Sequence, residues 1–133
     1  MDRKEVMALF NKRPRIGTLS TSNKNGDVNV AVFGSPRMVD EENIVMGMGN
    51  NRSFKNLQEN PKAAYIVLEP GSSPAEWNGV RLYLKAESIE LEGSLIDGIK
   101  EGIAQMAGKQ AADGIHAGIR FKITEVRNLI API

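Results

Sequence analysis

The chain contains no cysteine. That removes disulfides, thiolate metal ligands and cysteine nucleophiles together. It has a single histidine, His116, so no cluster of histidines can form within one chain. No D-x-D-x-D-G type loop is present either, and a metal is not expected. Neither sign of charge prevails: 17 basic and 16 acidic side chains leave a net charge of +1. With aromatics at only 5%, neither a phosphate-tracking groove nor a base-stacking platform is indicated, so nucleic acid is not an expected partner. No apolar run approaches the roughly eighteen residues of a membrane span. Met1 to Glu5 is charged and leads into an amphipathic segment rather than an apolar leader, so the expected location is cytoplasmic, with no membrane partner. There is no G-x-G-x-x-G and no alternation of strand and helix, which argues against a Rossmann domain.

What is present suits one domain over residues 1–133 with a core of its own, since 41% of residues are hydrophobic. Val6, Met7, Leu9 and Phe10 share a helical face within Asp2 to Lys12, and Pro14 stops that helix. Ile16 to Thr21 reads as a strand, Asn23 to Gly26 as a hairpin turn, and Val28 onward as an alternating strand reaching about Val39 with Pro36 at an edge or bulge. Asp40 to Asn43 is the next turn and Ile44 to Gly49 the next strand. Ser53 to Asn60 reads as a short helix, with Ser53 as its N-cap and Pro61 as its stop. Ala63 to Leu68 is apolar without alternation, as in a strand buried on both faces. A Pro/Gly loop then leads to a long strand, Val80 to Leu91. Ser94 to Asp97 resembles a capping box opening a helix that ends near Gly108, and Ile119 to Thr124 alternates as a final strand. The tally is about six strands and three helices, mostly β, and strands joined by short turns pair antiparallel. A closed or nearly closed barrel with helices outside would hide the sheet edges.

One stretch suggests a ligand. Val45, Gly47 and Gly49 would share one face of a strand that is almost bare of side chains, which fits a bend or the close approach of something flat. Asn50-Asn-Arg-Ser53 then opens a helix, whose first N–H groups and positive end can receive an anion. Arg52 can fork two bonds onto an oxyanion and Ser53 can add a hydroxyl; equally, Ser53 could only cap and Arg52 only be solvated. Asn29 and Ala31 give the second strand a small, polar face. Trp77 could stack on a ring or fill an interface, and Arg81 could reach an anion from the long strand. His116 stands in no recognisable triad spacing and is not expected to be catalytic.

Ile16-Gly-Thr-Leu-Ser-Thr, Val28-Asn-Val-Ala-Val-Phe and the run from Ile44 to Val67, above all Arg52-Ser-Phe-Lys-Asn-Leu-Gln-Glu-Asn-Pro61, resemble the FMN-binding split-barrel family related to pyridoxamine 5′-phosphate oxidase. The resemblance covers about residues 5 to 92 and, less specifically, the closing strand Ala117 to Leu129. It implies a six-stranded antiparallel split β-barrel with peripheral helices, and a homodimer with FMN at the subunit interface. By position, Arg52 and Ser53 would hold the FMN phosphate, with Lys55 or Asn56 near. Asn29, Val30, Ala31, Val32 and Phe33 would run along the ring, and Gly47, Met48, Gly49 and Asn50 beside the ribityl chain and ring. Arg81 lies on a ring-contacting strand, where Gly79 stands in place of a glutamine of the vitamin-processing members. The longer C-terminal segment with Arg and His that those members carry is not matched by Glu125 to Ile133, so pyridoxamine-phosphate oxidation itself is not expected. The resemblance implies an FMN-dependent oxidoreductase passing hydride or electrons to a small substrate, with NAD(P)H or another donor, or else a non-enzymatic FMN carrier.

Overall fold

The computed structural model describes residues 1–130. The last three positions of the expected domain lie outside the described residues. In chain order the elements are α1 (Arg3–Asn11), β1 (Ile16–Ser22), β2 (Val28–Val32), β3 (Arg37–Met38), β4 (Asn43–Met48), α2 (Arg52–Glu59), β5 (Lys62–Glu69), β6 (Asn78–Glu90), α3 (Ser94–Ala107), α4 (Lys109–Asp113) and β7 (Ala117–Asn128). A single 3-10 turn, Pro74–Glu76, precedes β6.

All strand pairs are antiparallel, in one sheet of seven strands ordered β2-β1-β5-β6-β7-β4-β3. The extra strand relative to the expected six arises at Pro36. The alternating run does not continue to Val39; it leaves β2 at Val32 and re-pairs as β3 after the proline, which has no N–H for a ladder. This break also closes the fold. Laid flat, seven strands would hold β2 and β3 roughly 29 Å apart. The link from Val32 to Arg37 spans at most about 18 Å. The sheet must therefore curl, and irregularities in the β6–β7 register at Tyr83/Leu84 and Ala86/Ser88 supply local bends in its two longest strands.

The split lies between β2 and β3 and is laced by side chains. Arg13 donates to the Gly34 carbonyl, and Arg15 donates to the carbonyls of Phe10, Gly34 and Pro36. The Arg15 guanidinium also sits over the Phe10 ring, 4.7 Å from its centre. The Tyr65 hydroxyl donates to the Phe33 carbonyl at 2.5 Å. Inside, Leu19, Ile44, Met46, Tyr65, Leu82, Ile119 and Phe121 form a continuous core. Helix α1 touches β3 and β6, which are not sheet neighbours, so it lies across a mouth of the barrel and buries Val6 and Phe10 there. Helix α2 inserts Phe54 and Leu57 from the β1–β2 side.

Helix α3 lies against β4 and β7 on the outside of the sheet. Its expected capping box does not form. Gly93 holds the N-cap position, and Glu90 instead accepts the N–H groups of Leu95 (3.1 Å) and Ile96 (3.4 Å) through one carboxylate oxygen. A carboxylate at the positive end of a helix does the same work from outside the helix. Helix α4, too short for a periodic signal, was not expected.

Strand β5 departs from the expectation of burial on both faces. Tyr65 and Val67 are buried, while Ala64, Ile66 and Leu68 are only half-buried. Their face continues through Val30, Ser20, Ala64 and Tyr83 in one cross-strand row and through Val32, Thr18, Ile66 and Arg81 in the next. On the edge strand, Val28, Val30 and Val32 stand 80%, 65% and 75% exposed. No element among the described residues covers this apolar face.

Candidate functional site

The first turn of α2 is where the sequence placed an anion. The expected N-cap was Ser53; the cap is Asn51, whose side-chain oxygen accepts the Phe54 N–H at 3.0 Å. Shifting the cap by two residues changes what Ser53 does. It is buried within the first turn, and its Oγ lies 3.4 Å from the Asn29 amide, which donates to it. That contact joins β2 to the helix start, so two segments singled out separately in the sequence meet. The N–H groups of Arg52 and Ser53 have no partner among the described residues, as the opening of a helix leaves them. The Arg52 guanidinium and the Lys55 ammonium are exposed and have no partner among the described residues, and their spacing of three puts them on one side of the helix. Two free N–H donors, a helix dipole and two cations together make an anion cradle.

Other expected residues fall elsewhere. Asn56 turns inward and donates to the buried Thr21 hydroxyl at 3.0 Å, anchoring α2 to β1. Asn50 is exposed and Gly49 half-buried, beside the cradle, but Met48 is core. Gly47 faces protein: a Cβ there would lie 3.0 Å from Ile99 and Ile115. Its register partner is Gly118, where a Cβ would lie 2.9 Å from the Ile96 backbone. The bare face of β4 thus admits α3 rather than something flat. On β2, Asn29, Ala31 and Phe33 turn toward the barrel interior while the valines face out. Arg81 shares a cross-strand row with Val32 but lies three strands away, roughly 14 Å, and its Nε donates to the Asn128 carbonyl at 2.9 Å. Trp77 is exposed at the end of the 3-10 turn. Neither Trp77 nor Arg81 joins the α2 cradle within one chain. Gly79 has no room for a glutamine, since a Cβ would meet the Val67 carbonyl at 2.3 Å.

His116, set aside in the sequence, reaches this region. Its ring meets Phe54 edge-on at 5.0 Å, and its backbone N–H donates to the Met48 carbonyl at 2.9 Å. No spacing in the sequence signals this, because it depends on β7 pairing with β4.

A split barrel with an anion cradle at a helix start, beside an uncovered edge strand, defines the class. The chain belongs to the pyridoxamine 5′-phosphate oxidase family, whose model matches residues 3–130. No curated protein matches it. Among solved structures it is similar to an FMN-binding protein from Syntrophomonas wolfei subsp. wolfei, at 24% identity and TM-score 0.86, covering 98% of this chain and 87% of that one. It is similar to HutZ, described as the heme storage protein from Vibrio cholerae, at 14% identity and TM-score 0.69, covering 96% and 95%. It is also similar to an F420 reductase at 17% identity and TM-score 0.66, covering 93% and 94%. Among the described residues no helix is long and apolar enough to cross a membrane, and no group of three or more His, Cys, Asp or Glu could hold a metal ion.

Proposed function

We propose that this chain binds FMN and works as a flavin-dependent oxidoreductase on a small substrate. The observation that carries the reading is the Asn29–Ser53 contact, which brings β2 and the free first turn of α2 together. The residues present fit a flavin phosphate: Arg52 and the N–H groups of residues 52 and 53 would hold its oxygens, with Lys55 adding charge. When bound, the flavin supplies the redox chemistry, as hydride or single-electron transfer. The protein's part is to fix the phosphate at α2, to lay the ring along Asn29 to Phe33, and to exclude water from it. Gly49 and Asn50 would stand beside the ribityl chain.

The uncovered face of β2, β1 and β5 supports a homodimer in which that face is shared and the partner completes the site. In such a dimer Arg81 and Trp77 would approach the cofactor from the other subunit. A carrier role without turnover is the second reading, favoured because Asn29, Arg52, Ser53 and Lys55 include no acid–base catalyst suited to neutral pH and leave only His116, against Phe54, near the cradle.

The deciding experiment is a visible spectrum of the purified protein with mass analysis of the released ligand. Flavin absorption and the mass of FMN are expected. A colourless protein that also fails to take up added FMN would sink the reading, and a deazaflavin or haem spectrum would replace it. Reduction of the bound flavin by NAD(P)H would distinguish enzyme from carrier.

A further inference from the structure

Away from the α2 cradle, one of the molecule's concavities, of about 550 Å³, lies between α3 and the β3–β4 edge. Its volume lies in the range of small-molecule sites. Its lining is of two chemical kinds. Val39 and Val45 from the sheet edge, with Ile99, Ile103 and Met106 from α3, make an apolar body. Arg13, Arg37 and Ser35 line it as well, Arg37 directly beside its register partner Val45. No Asp or Glu lines it. Arg37 makes no hydrogen bond or ion pair within the described chain, and Arg13 spends one donor on the Gly34 carbonyl. Two like charges beside apolar side chains, with no ion-pair partner among the described residues, are complementary to an anion whose remainder is apolar.

The helix wall is open for the same occupant. Gly98 and Gly102 line the cavity one turn apart, and a Cβ at either would meet nothing within 4 Å. Packing inside the chain therefore does not require glycine at these positions, in contrast to Gly47 and Gly118. Their effect is to lower the wall and let a ligand lie against the helix backbone. The cavity is separate from the α2 cradle: Ile99 and Ile115 fill the outer face of β4 at Gly47, between Val45 and the start of α2.

We infer that this cavity is a binding site for a small amphipathic anion, with its carboxylate or phosphate on Arg13 and Arg37 and its apolar body along α3. The inference goes beyond the flavin reading and stands without it, because no residue of the cradle takes part.

Titration calorimetry with decanoate, decyl phosphate and decanol, on the full chain with whatever cofactor it carries, tests the inference. Saturable one-site binding of an anion, at least tenfold tighter than decanol, is expected. The relative strength of decanoate and decyl phosphate identifies the headgroup. Arg37→Glu should weaken the anion at least tenfold and leave FMN affinity unchanged. Gly98→Leu should block anion and decanol alike; thermal unfolding shows whether it is folded, and an open position on a helix favours that it is. Equal affinity for decanol and the anions, or undiminished binding by Arg37→Glu, would overturn the assignment. So would a dimer dispersed by Gly98→Leu, since a second copy of the chain would then occupy the groove.

Discussion

At residue 17 the hydroxyl of Tyr65 lies where any Cβ would have to be, so only glycine lets the phenol cross β1 to the Phe33 carbonyl. Tyr65 thereby ties β5 to the chain as it leaves β2, at the split itself. Burial raises the pKa of this phenol, opposed in part by the charges of Arg15 and Arg13. A folded-state pKa above the unfolded value of about 10 means that the stabilisation is complete below pH 10 and lost as pH climbs through the folded value. Tyr65→Phe should therefore cost about 1–2 kcal/mol at neutral pH, read by urea unfolding, and should flatten the alkaline limb of the stability profile. Arg52 carries the corresponding prediction for the cofactor. Arg52→Ala should weaken FMN by about 1.5–3 kcal/mol, roughly ten- to a hundredfold, in a fluorescence titration. Unchanged affinity would remove Arg52 from the cradle. The candidacy of Arg52 was legible because a cation at a helix start is a local pattern. The exchange of roles between Ser53 and Asn51 was not, since either residue type can cap and the choice depends on where the chain enters the helix.

Among the elements, the seating of α3 depends on a pair of glycines far apart in sequence. Gly47 and Gly118 face each other across β4 and β7, and both would collide with α3 if they carried side chains. Gly118→Val should push the helix outward and destabilise the fold by about 1–3 kcal/mol in urea unfolding, with the change felt at Ile96 and Ile99. The bareness of the β4 face was legible, as were most strands and α1, because alternation and caps are local. Its occupant was not: a gap left for a ligand and a gap left for a helix look alike until the register is known. Strand β5 misled for a related reason. An unbroken apolar run says that both faces avoid water, and not whether the second cover comes from the same chain.

For the whole molecule, the exposed valines of β2 set a prediction about assembly. Val30 is the central residue of β2 on the uncovered face, where a lysine costs little in a monomer and much in a buried interface. Val30→Lys should leave far-UV circular dichroism unchanged while shifting the sedimenting species from dimer to monomer, and should lower FMN affinity if the partner completes the site. A wild type that sediments as a monomer with FMN bound would separate cofactor binding from assembly.

The sheet order has a consequence for how the chain reaches this state. Among the described strands β7 comes last in the chain, yet it lies between β6 and β4. Without it the ladder falls into two pieces, β2-β1-β5-β6 and β4-β3, each with an unpaired inner edge. Barrel closure depends on contacts of large sequence separation, a topology expected to form slowly. During synthesis those two edges wait for β7 to emerge, and a chain halted before Ala117 would expose them to pairing with its neighbours.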